Sequence, residues 1–457
     1  MGLAVLSLPA FPEKTEFREM AHKALDKWID TFMPFFEAKT PPDLRDLSDH
    51  FQKTRQMFLG ACLQTAIERL YEPMFRQIRA DCPRCGQAVL RHAMRERSAS
   101  TLQGAFSLSR PYFYCGDCQM GFAPLDEALG LAPEHHQFDI QERAVRCAGR
   151  LPFAEAAAQF EELTGVSIGN HFCHETLQTV GEAMILEDVL PTREDTLHRI
   201  EQAQHPSGEK PILVVTADGA MTPTREQAPR KGNRGPGRYQ EVKGFRIYLI
   251  GPLSRIVHVA SWHQVQDAED FRKCLQVAAE RFDLDRVRLA LVADGAKWVW
   301  NALEECFPQG RRILDYYHCA EHVWEVADIL HGEGTSEAQE WAEAFLVELC
   351  LGKVCRSIAA LAITKTKTDQ QRDAVEKLAT YLENQMQRIH YLDDLDEGFP
   401  IGSGAMESAN KFVCHTRMKR SGAWWVVTSG NAMLRVRCAM YNGTFERVFK
   451  KYTATKG

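Results

Sequence analysis

Three carboxylates sit where this sequence can do phosphoryl chemistry. Asp218 closes the run Val214-Val215-Thr216-Ala217 and precedes Gly219; Asp294 closes Leu291-Val292-Ala293 and precedes Gly295. Both segments have the form apolar strand, Ala, Asp, Gly, which predicts an acid at the carboxyl end of a buried strand. Such a charge is costly unless a cation or a partner neutralises it. The following glycine lets the chain turn away and a substrate approach. Glu407 is the third acid, in Ile401-Gly402-Ser403-Gly404-Ala405-Met406-Glu407-Ser408-Ala409-Asn410-Lys411. There a turn opens a helix that puts Glu407 and Lys411 on one face at i, i+4. Hard oxygen donors suit Mg²⁺ or Mn²⁺. Two such ions about 3.5–4 Å apart activate a water or a 3′-hydroxyl and stabilise the leaving oxygen of a phosphodiester. In this reading Asp218 bridges both ions, and Asp294 and Glu407 each complete one coordination sphere. A lone Asp-Gly after a strand is commonly just a turn; two matched strand ends plus the Glu helix favour a site.

Four cysteines define a second centre. Cys82-Pro-Arg-Cys85 and Cys115-Gly-Asp-Cys118 are two CxxC pairs separated by strand-like residues (106–108 and 111–114). Four thiolates at this spacing surround one Zn²⁺ tetrahedrally and close its shell, so the expected zinc ribbon is structural rather than catalytic. Gly86 and Gly116 suit the tight knuckles of such turns. A redox pair is the competing reading.

These groups need elements to hold them. After a polar, Pro-containing stretch (191–210), strands are expected at Ile212–Thr216, Glu241–Ile250, Arg255–Trp262, Val287–Val292 and Arg312–Tyr317. Helices are expected at Asp267–Phe282 and Lys297–Cys306. The order β-β-β-α-β-α-β is what an RNase H-like α/β domain gives, although other α/β folds share it. Residues 321–390 read as nearly continuous helix, and the α/β pattern resumes at the Gly-Ser-Gly turn of 402–404. Upstream, apolar residues spaced by three and four between 13 and 33, and again over 43–71, predict amphipathic helices that pack on each other or on a partner subunit. Residues 139–185 look helical. A helix over Phe153–Leu163, the turn Thr164-Gly165-Val166 and a new helix from Ser167 have the helix-turn-helix outline. Its second helix would expose Asn170, His171, His174 and Gln178 to base edges or phosphates. Many helix pairs that bind no DNA share that outline.

Several neighbours of the acids have more than one use. His318 and His322 stand one helical turn apart, but no HExxH pattern accompanies them, so a structural or substrate-contacting role is favoured over a metal pair. Asp315 is the rival carboxylate; a place inside the fifth strand suits a supporting role. Trp298 and Trp300 read as core, with base stacking as the alternative.

The net charge of −6, from 55 Lys and Arg against 61 Asp and Glu, argues at first against a nucleic-acid partner. The average hides segregation. Residues 221–243 carry Arg225, Arg230, Lys231, Arg234, Arg238 and Lys243 against Glu226 and Glu241, a net +4. Gly232, Gly235 and Gly237 make that stretch an expected loop that orders on a phosphate backbone. Residues 411–457 carry ten Lys or Arg, among them Lys411, Arg417, Lys419 and Arg420, against Glu446 alone. The helical stretch 321–400 holds 16 acids against seven bases. The expected picture is a basic catalytic rim with an acidic helical insertion turned mostly away from phosphate. No run of about 18 apolar residues suggests a membrane span. The start, Met1 to Pro12, lacks the basic region of a secretion signal, and Gly2 lacks the Ser or Thr that myristoylation needs. Fourteen cysteines are too sparse for a disulfide scaffold. A cytosolic, nucleoid-associated protein is expected.

Taken together, the Ala-Asp-Gly at Asp218, Glu241-Val242-Lys243, the segment Asp294-Gly295-Ala296-Lys297-Trp298-Val299-Trp300-Asn301, Asp315-Tyr316-Tyr317-His318-Cys319-Ala320-Glu321-His322, Ile401 to Gly404 with Glu407, and Arg417-Met418-Lys419-Arg420 resemble the DDE insertion-sequence transposases of the ISKra type. The ISLre-type group is a more distant likeness. The resemblance runs from about residue 80, including the cysteine pairs. It departs at Ser421-Gly422-Ala423-Trp424, where a Gly-Met-x-Trp version is expected. It implies an RNase H-like catalytic domain with Asp218, Asp294 and Glu407 as its DDE triad, split by an all-α insertion between the second and third acids. It further implies two Mg²⁺ or Mn²⁺ ions, His318 among the DNA contacts, and cleavage at element ends followed by attack of the 3′-OH on target DNA. Joining two ends calls for a homodimer or a higher synaptic assembly. The expected organisation is a helical region at 1–80, with possible oligomerisation contacts, a zinc ribbon at 81–130 and a helix-turn-helix region at 131–205. The catalytic domain follows at 206–330 and 397–440 around an insertion at 331–396, with a basic tail at 441–457. The alternatives are a catalytically silent DNA-binding derivative and an RNase H-type nuclease without strand transfer.

Overall fold

The computed structural model describes residues 14–226 and 236–456, with side chains from residue 17 onward. The expectations for Met1–Pro12 and for Arg230, Lys231 and Arg234 lie outside the described residues. The chain divides into two units, residues 1–180 with 449–457, and residues 181–448.

In the first unit, helix α1 (Lys14–Ile29) is followed by α2 (Leu44–Leu70), which Asp43 caps by accepting a hydrogen bond from the Asp46 N–H at 2.8 Å. Trp28, Phe32 and Phe51 pack edge-on between the two helices, with ring centroids 4.9–5.2 Å apart. A four-stranded antiparallel sheet follows in the order β1 (Arg79–Asp81), β2 (Ala88–Thr101), β3 (Gly104–Cys115) and β4 (Met120–Phe122). Three more helices complete the unit: α3 (Phe138–Ala148), α4 (Phe153–Thr164) and α5 (Asn170–Ala183). Gly165 ends α4 in the left-handed region at φ 77°, as a glycine C-cap does. The turn is longer than the sequence suggests, since α5 begins at Asn170 rather than Ser167.

The second unit is built on a mixed sheet in the order β7-β6-β5-β8-β9: β5 (Ile212–Arg225), β6 (Gly237–Ile250), β7 (Ile256–Val265), β8 (Arg288–Ala293) and β9 (Arg311–Leu314). β6 is antiparallel to β5 and β7, while β8 and β9 run parallel to β5. Helices α6 (Ala268–Ala279) and α7 (Lys297–Cys306) link the strands. Two strand expectations are corrected. β5 does not stop at Asp218 but continues to Arg225, where it pairs with β6 and with the short parallel strand β10 (Trp425–Val426). After Asp218 the strand buries Ala220, Thr222, Pro223 and Thr224 and exposes Met221, with no long apolar run to mark it. Of the expected basic loop, residues 221–225 and 237–243 are therefore strand, paired across β5 and β6. The fifth strand ends at Leu314, and Asp315 starts a helix instead of lying inside the strand.

The helical stretch is four helices rather than one: α8 (Tyr316–His331), α9 (Ser336–Cys350), α10 (Val354–Ala362) and α11 (Asp369–Gln385). They share a core of Val323, Ala327, Ala342, Leu349, Leu378 and Leu382. The chain then returns through α12 (Gly404–Ala409), a π-helical turn over Asn410–His415, and α13 (Val427–Asn442).

Candidate active site and cysteine centre

The sheet brings the acids into one row. β5 and β8 pair in parallel up to Thr216 opposite Val292, and β8 and β9 up to Ala293 opposite Leu314. Counting two residues past the first pair and one past the second, Asp218, Asp294 and Asp315 stand at the same level on three adjacent parallel strands; Asp294 and Asp315 follow the ends of β8 and β9, while Asp218 lies inside β5. Beyond Thr216 the edge of β5 that faced β8 has no strand partner until Thr224 meets β10. Asp218 sits in that gap.

Each acid is held differently. Asp218 accepts hydrogen bonds from the Gly219 N–H at 2.6 Å and from Asn410 Nδ2 at 2.7 Å. Burial raises its pKa, and the nearby charge of Asp294 adds to the rise, while His318 opposes it. Asp294 accepts from the Ala296 N–H at 3.0 Å, and its carbonyl accepts from the indole of buried Trp300 at 2.6 Å. Helix α11 closes over the next residue: Gln385 donates to the Gly295 carbonyl at 3.2 Å, and a Cβ at Gly295 would lie 2.7 Å from the Tyr381 ring. The acidic helical stretch thus reaches the second acid.

Asp315 is the tie between elements. It caps α8 by accepting from the Tyr317 and His318 N–H groups at 2.7 and 3.1 Å, and its other oxygen accepts from the Ser403 N–H at 2.6 Å. The Tyr316 N–H also donates to the Ile401 carbonyl at 2.8 Å. The turn that launches the Glu407 helix is therefore fastened to the row of strand ends. Glu407 is exposed and lines a cavity of about 650 Å³ with Asp218, His318, Asn410, Lys411 and Lys419. Asp294 meets this site through its charge on Asp218 and is not part of the cavity wall.

Three carboxylates around Asp218 form an all-oxygen donor set, which fits Mg²⁺ or Mn²⁺. Among the described residues, the acids are not a group whose ligand atoms all lie within 4.8 Å of one another.

The basic residues divide. Lys411, Lys419 and Arg420 are exposed, as is Arg238, which lies 3.8 Å from Glu226; Arg225 is half-buried. His318 is partly exposed and pairs with Glu321 at 3.3 Å. Two residues expected on a DNA face are corrected. Lys243 is buried, paired with Glu241, and its Nζ lies 4.0 Å from the Trp298 ring centroid. Arg417 is only 3% exposed and lies over Trp425. Each is held by side chains within the second unit, which leaves it little surface to offer a phosphate. His322 turns to the Tyr381 ring, 4.5 Å between centroids, rather than pairing with His318 on a metal. On α5, Asn170 is exposed and His171 is exposed and paired with Glu175 at 2.9 Å. His174 is half-buried against Phe153, and burial lowers its pKa.

In the first unit, the β1–β2 turn carries Cys82 and Cys85, and the β3–β4 turn carries Cys115 and Cys118. All four sulfurs lie within 4.8 Å of one another, a set that can hold a metal ion. The Cys85 and Cys115 sulfurs are 3.7 Å apart, close to the edge of about 3.8 Å of a tetrahedron with 2.3 Å Zn–S bonds. Backbone N–H groups of the first knuckle, led by Cys85, lower the Cys82 thiol to about 7, while the adjacent Cys85 sulfur pushes Cys118 up to about 12. Gly86 takes the left-handed position after the first pair at φ 74°. Gln119, not Gly116, takes the equivalent position after the second pair at φ 50°.

Sequence reasoning missed Asn410 and His263. Asn410 holds Asp218, and fully buried His263 holds Asn410 at 3.1 Å. The local sequence carries no signal for contacts across 192 and 147 residues.

A mixed α/β protein with a cleft lined by Asp218, Glu407, Lys411 and Lys419 and with a four-cysteine centre is thus defined. A family model described as uncharacterised protein family UPF0236 matches residues 43–452, and the chain belongs to that family. A curated relative, the UPF0236 protein in vanSb 3′region of Streptococcus gallolyticus, is 24% identical over 344 residues, covering 73% of this chain and 70% of the relative. Among solved structures, the Drosophila P element transposase strand transfer complex is similar over 69% of this chain and 80% of that one, at 8% identity and a TM-score of 0.26. No helix among the described residues is long and apolar enough to cross a membrane.

Proposed function

We propose that this protein is a DDE transposase of the ISKra-like kind, with an RNase H-like catalytic domain interrupted by the all-α block of residues 331–396. The observation that carries the reading is the alignment of the acids. Asp218, inside β5 just past its pairing with β8, and Asp294, at the end of β8, stand at one level on adjacent parallel strands, and Asp218 shares its cavity with Glu407. The sheet order, with β6 antiparallel and β8 and β9 parallel to β5, and the motif resemblance from residue 80 onward support the same reading.

Asp218, Asp294 and Glu407 would hold two Mg²⁺ or Mn²⁺ ions; when bound, such ions activate the attacking oxygen and stabilise the leaving oxygen of a phosphodiester. Lys411 and Lys419 face the same cavity and offer positive charge to the DNA backbone. His318 stands at its edge, where it contacts the substrate strand. Arg225, Arg238 and Arg420, with Arg230, Lys231 and Arg234, extend the basic surface. Asn170 and His171 at the start of α5 offer donors to DNA, in keeping with a helix-turn-helix made of α4 and α5. The four cysteines hold one structural Zn²⁺. Strand transfer joins two ends, so the working form is a dimer or a higher synaptic assembly on the nucleoid.

The test is Asp294→Ala in a supercoiled plasmid carrying the element ends, with Mg²⁺. Cleavage and strand transfer fall by more than about 100-fold, beyond the loss typical of ligand-supporting residues. Retained cleavage overturns the triad. Cleavage without any joined product favours a nuclease instead.

A further inference from the structure

Across β5, β6 and β7, Asp218 stands opposite Gly244, and Gly244 stands opposite His263. Directly opposed residues of antiparallel strands point to the same face. The two outer residues are therefore two strand spacings apart, about 9.5 Å at the backbone, too far to touch. Gly244 has no side chain to fill the space between them. A Cβ there would lie 2.3 Å from His263 Cδ2 and 2.6 Å from its Nε2, so the imidazole lies across the Gly244 backbone. One amide spans what remains. His263 Nε2 is 3.1 Å from Asn410 Oδ1, and Asn410 Nδ2 donates to Asp218 Oδ2 at 2.7 Å. His263 is fully buried and Asn410 is 4% exposed.

The direction of the chain follows from donor and acceptor counts. An ionised carboxylate only accepts, so the Asn410 NH₂ must face Asp218 and its oxygen must face His263. His263 must then carry its proton on Nε2. Among the described residues its Nδ1 has no hydrogen-bond partner, so nothing there calls for a proton, and burial lowers its pKa to about 4, keeping the ring neutral. Asn410 follows Glu407 by three residues and opens the π-helical turn. One helical face thus carries both Glu407 and the residue that holds Asp218.

We propose that His263 and Asn410 are positioning residues for Asp218, with His263 fixing the amide orientation and Asn410 locking the carboxylate in one rotamer without neutralising it. A cationic partner would cancel the charge that draws a metal ion; an amide supplies direction and leaves that charge intact. The proposal rests on the reading of Asp218 as a metal-binding acid, and its test separates the two.

The experiment uses the full chain with its cysteine centre loaded with zinc, without DNA. Mn²⁺ alone is titrated calorimetrically into wild type, Asn410→Ala, His263→Phe, His263→Gln and Asp218→Ala. The first two single variants of the pair bind Mn²⁺ roughly 10–100-fold more weakly. His263→Gln, which restores an N–H donor, returns to within about threefold of wild type. A folded His263→Phe protein that binds Mn²⁺ like wild type overturns the proposal. Nitrogen-15 spectra of metal-free, histidine-labelled protein at pH 7 give an answer independent of metal. The neutral Nε2–H tautomer of His263 is expected, with faster exchange of that proton in Asn410→Ala. The Nδ1–H tautomer or an imidazolium overturns the proposal, including where His263→Phe fails to fold. If Asp218→Ala binds Mn²⁺ like wild type, the metal reading of Asp218 fails, and the spectra still decide the pair.

Discussion

Changing Asp315 to alanine removes one side chain, 2% exposed, on which three backbone N–H groups converge. Two belong to the first turn of α8, where loss of a capping acceptor costs about 1 kcal/mol. The third comes from Ser403, a residue only 8% exposed. Leaving such a donor unsatisfied costs about 1–3 kcal/mol. The expected loss is therefore about 2–4 kcal/mol, a 30- to 1000-fold change in the folding equilibrium of the second unit. Asp315→Ser separates the two parts. A serine hydroxyl caps α8 but is too short to reach Ser403 as well, so this variant recovers about 1 kcal/mol and keeps the rest of the loss. Urea unfolding followed by tryptophan fluorescence reads both values. Because the Ser403 bond anchors the turn before Glu407, DNA cleavage by Asp315→Ser falls even at temperatures where the protein is folded. An Asp315→Ala protein within about 0.5 kcal/mol of wild type, or an Asp315→Ser protein no more stable than Asp315→Ala, refutes the argument.

Three further outcomes follow from single features. A zinc chelator, or Cys115→Ser, releases one zinc per chain and melts the β1–β4 sheet, seen as metal release with loss of circular dichroism; a sheet unchanged by metal removal contradicts a structural centre. His258 and His263 are buried with pKa values lowered from 6.5 to about 3 and about 4, chiefly by burial. Depressed values mean the unfolded chain binds more protons, so their stability contribution is complete above pH 6.5 and is lost as pH falls towards 4. The limiting slope is about 2.7 kcal/mol per pH unit for two protons, and it is roughly halved in His263→Gln; an unchanged slope counts against a neutral His263. Gly219→Ala places a Cβ 1.9 Å from Glu241 Oε1, which displaces the carboxylate paired with Lys243. Cleavage then drops while the first unit keeps its zinc, and full activity shows that the Glu241–Lys243 pair does not support the neighbouring Asp218.

Local features were the most legible. The apolar runs before Asp218 and Asp294 mark buried strands because such strands are written in consecutive residues, although β5 runs on past Asp218. The CxxC pairs marked the cysteine centre for the same reason. Asp315 was placed one element too early: Ile313-Leu314-Asp315-Tyr316-Tyr317 reads as a continuing strand, although an Asp before a helical run is equally an N-cap signal. β5 extends past Asp218 through Gly219-Ala220-Met221-Thr222-Pro223-Thr224, which holds no long apolar run to mark a strand and is kept extended by its pairing with β6. Lys243 and Arg417 looked like phosphate ligands by charge alone. Their partners, Glu241 with Trp298 and Trp425, are set by cross-strand and tertiary packing that charge counting does not see. Asn410 and His263 were beyond reach, since the slot that unites them exists only once Gly244 lies between β5 and β7.

Asp218, Asp294 and Glu407 are proposed to form one divalent-metal site, with Asp218 and Asp294 at one level of the sheet. Anomalous diffraction from crystals soaked in Mn²⁺ would locate the ions. Manganese peaks are expected within ligand distance of the Asp218 carboxylate, one shared with Asp294 and one with Glu407. Manganese absent from these carboxylates at saturating concentration, or bound only elsewhere on the protein, would contradict it.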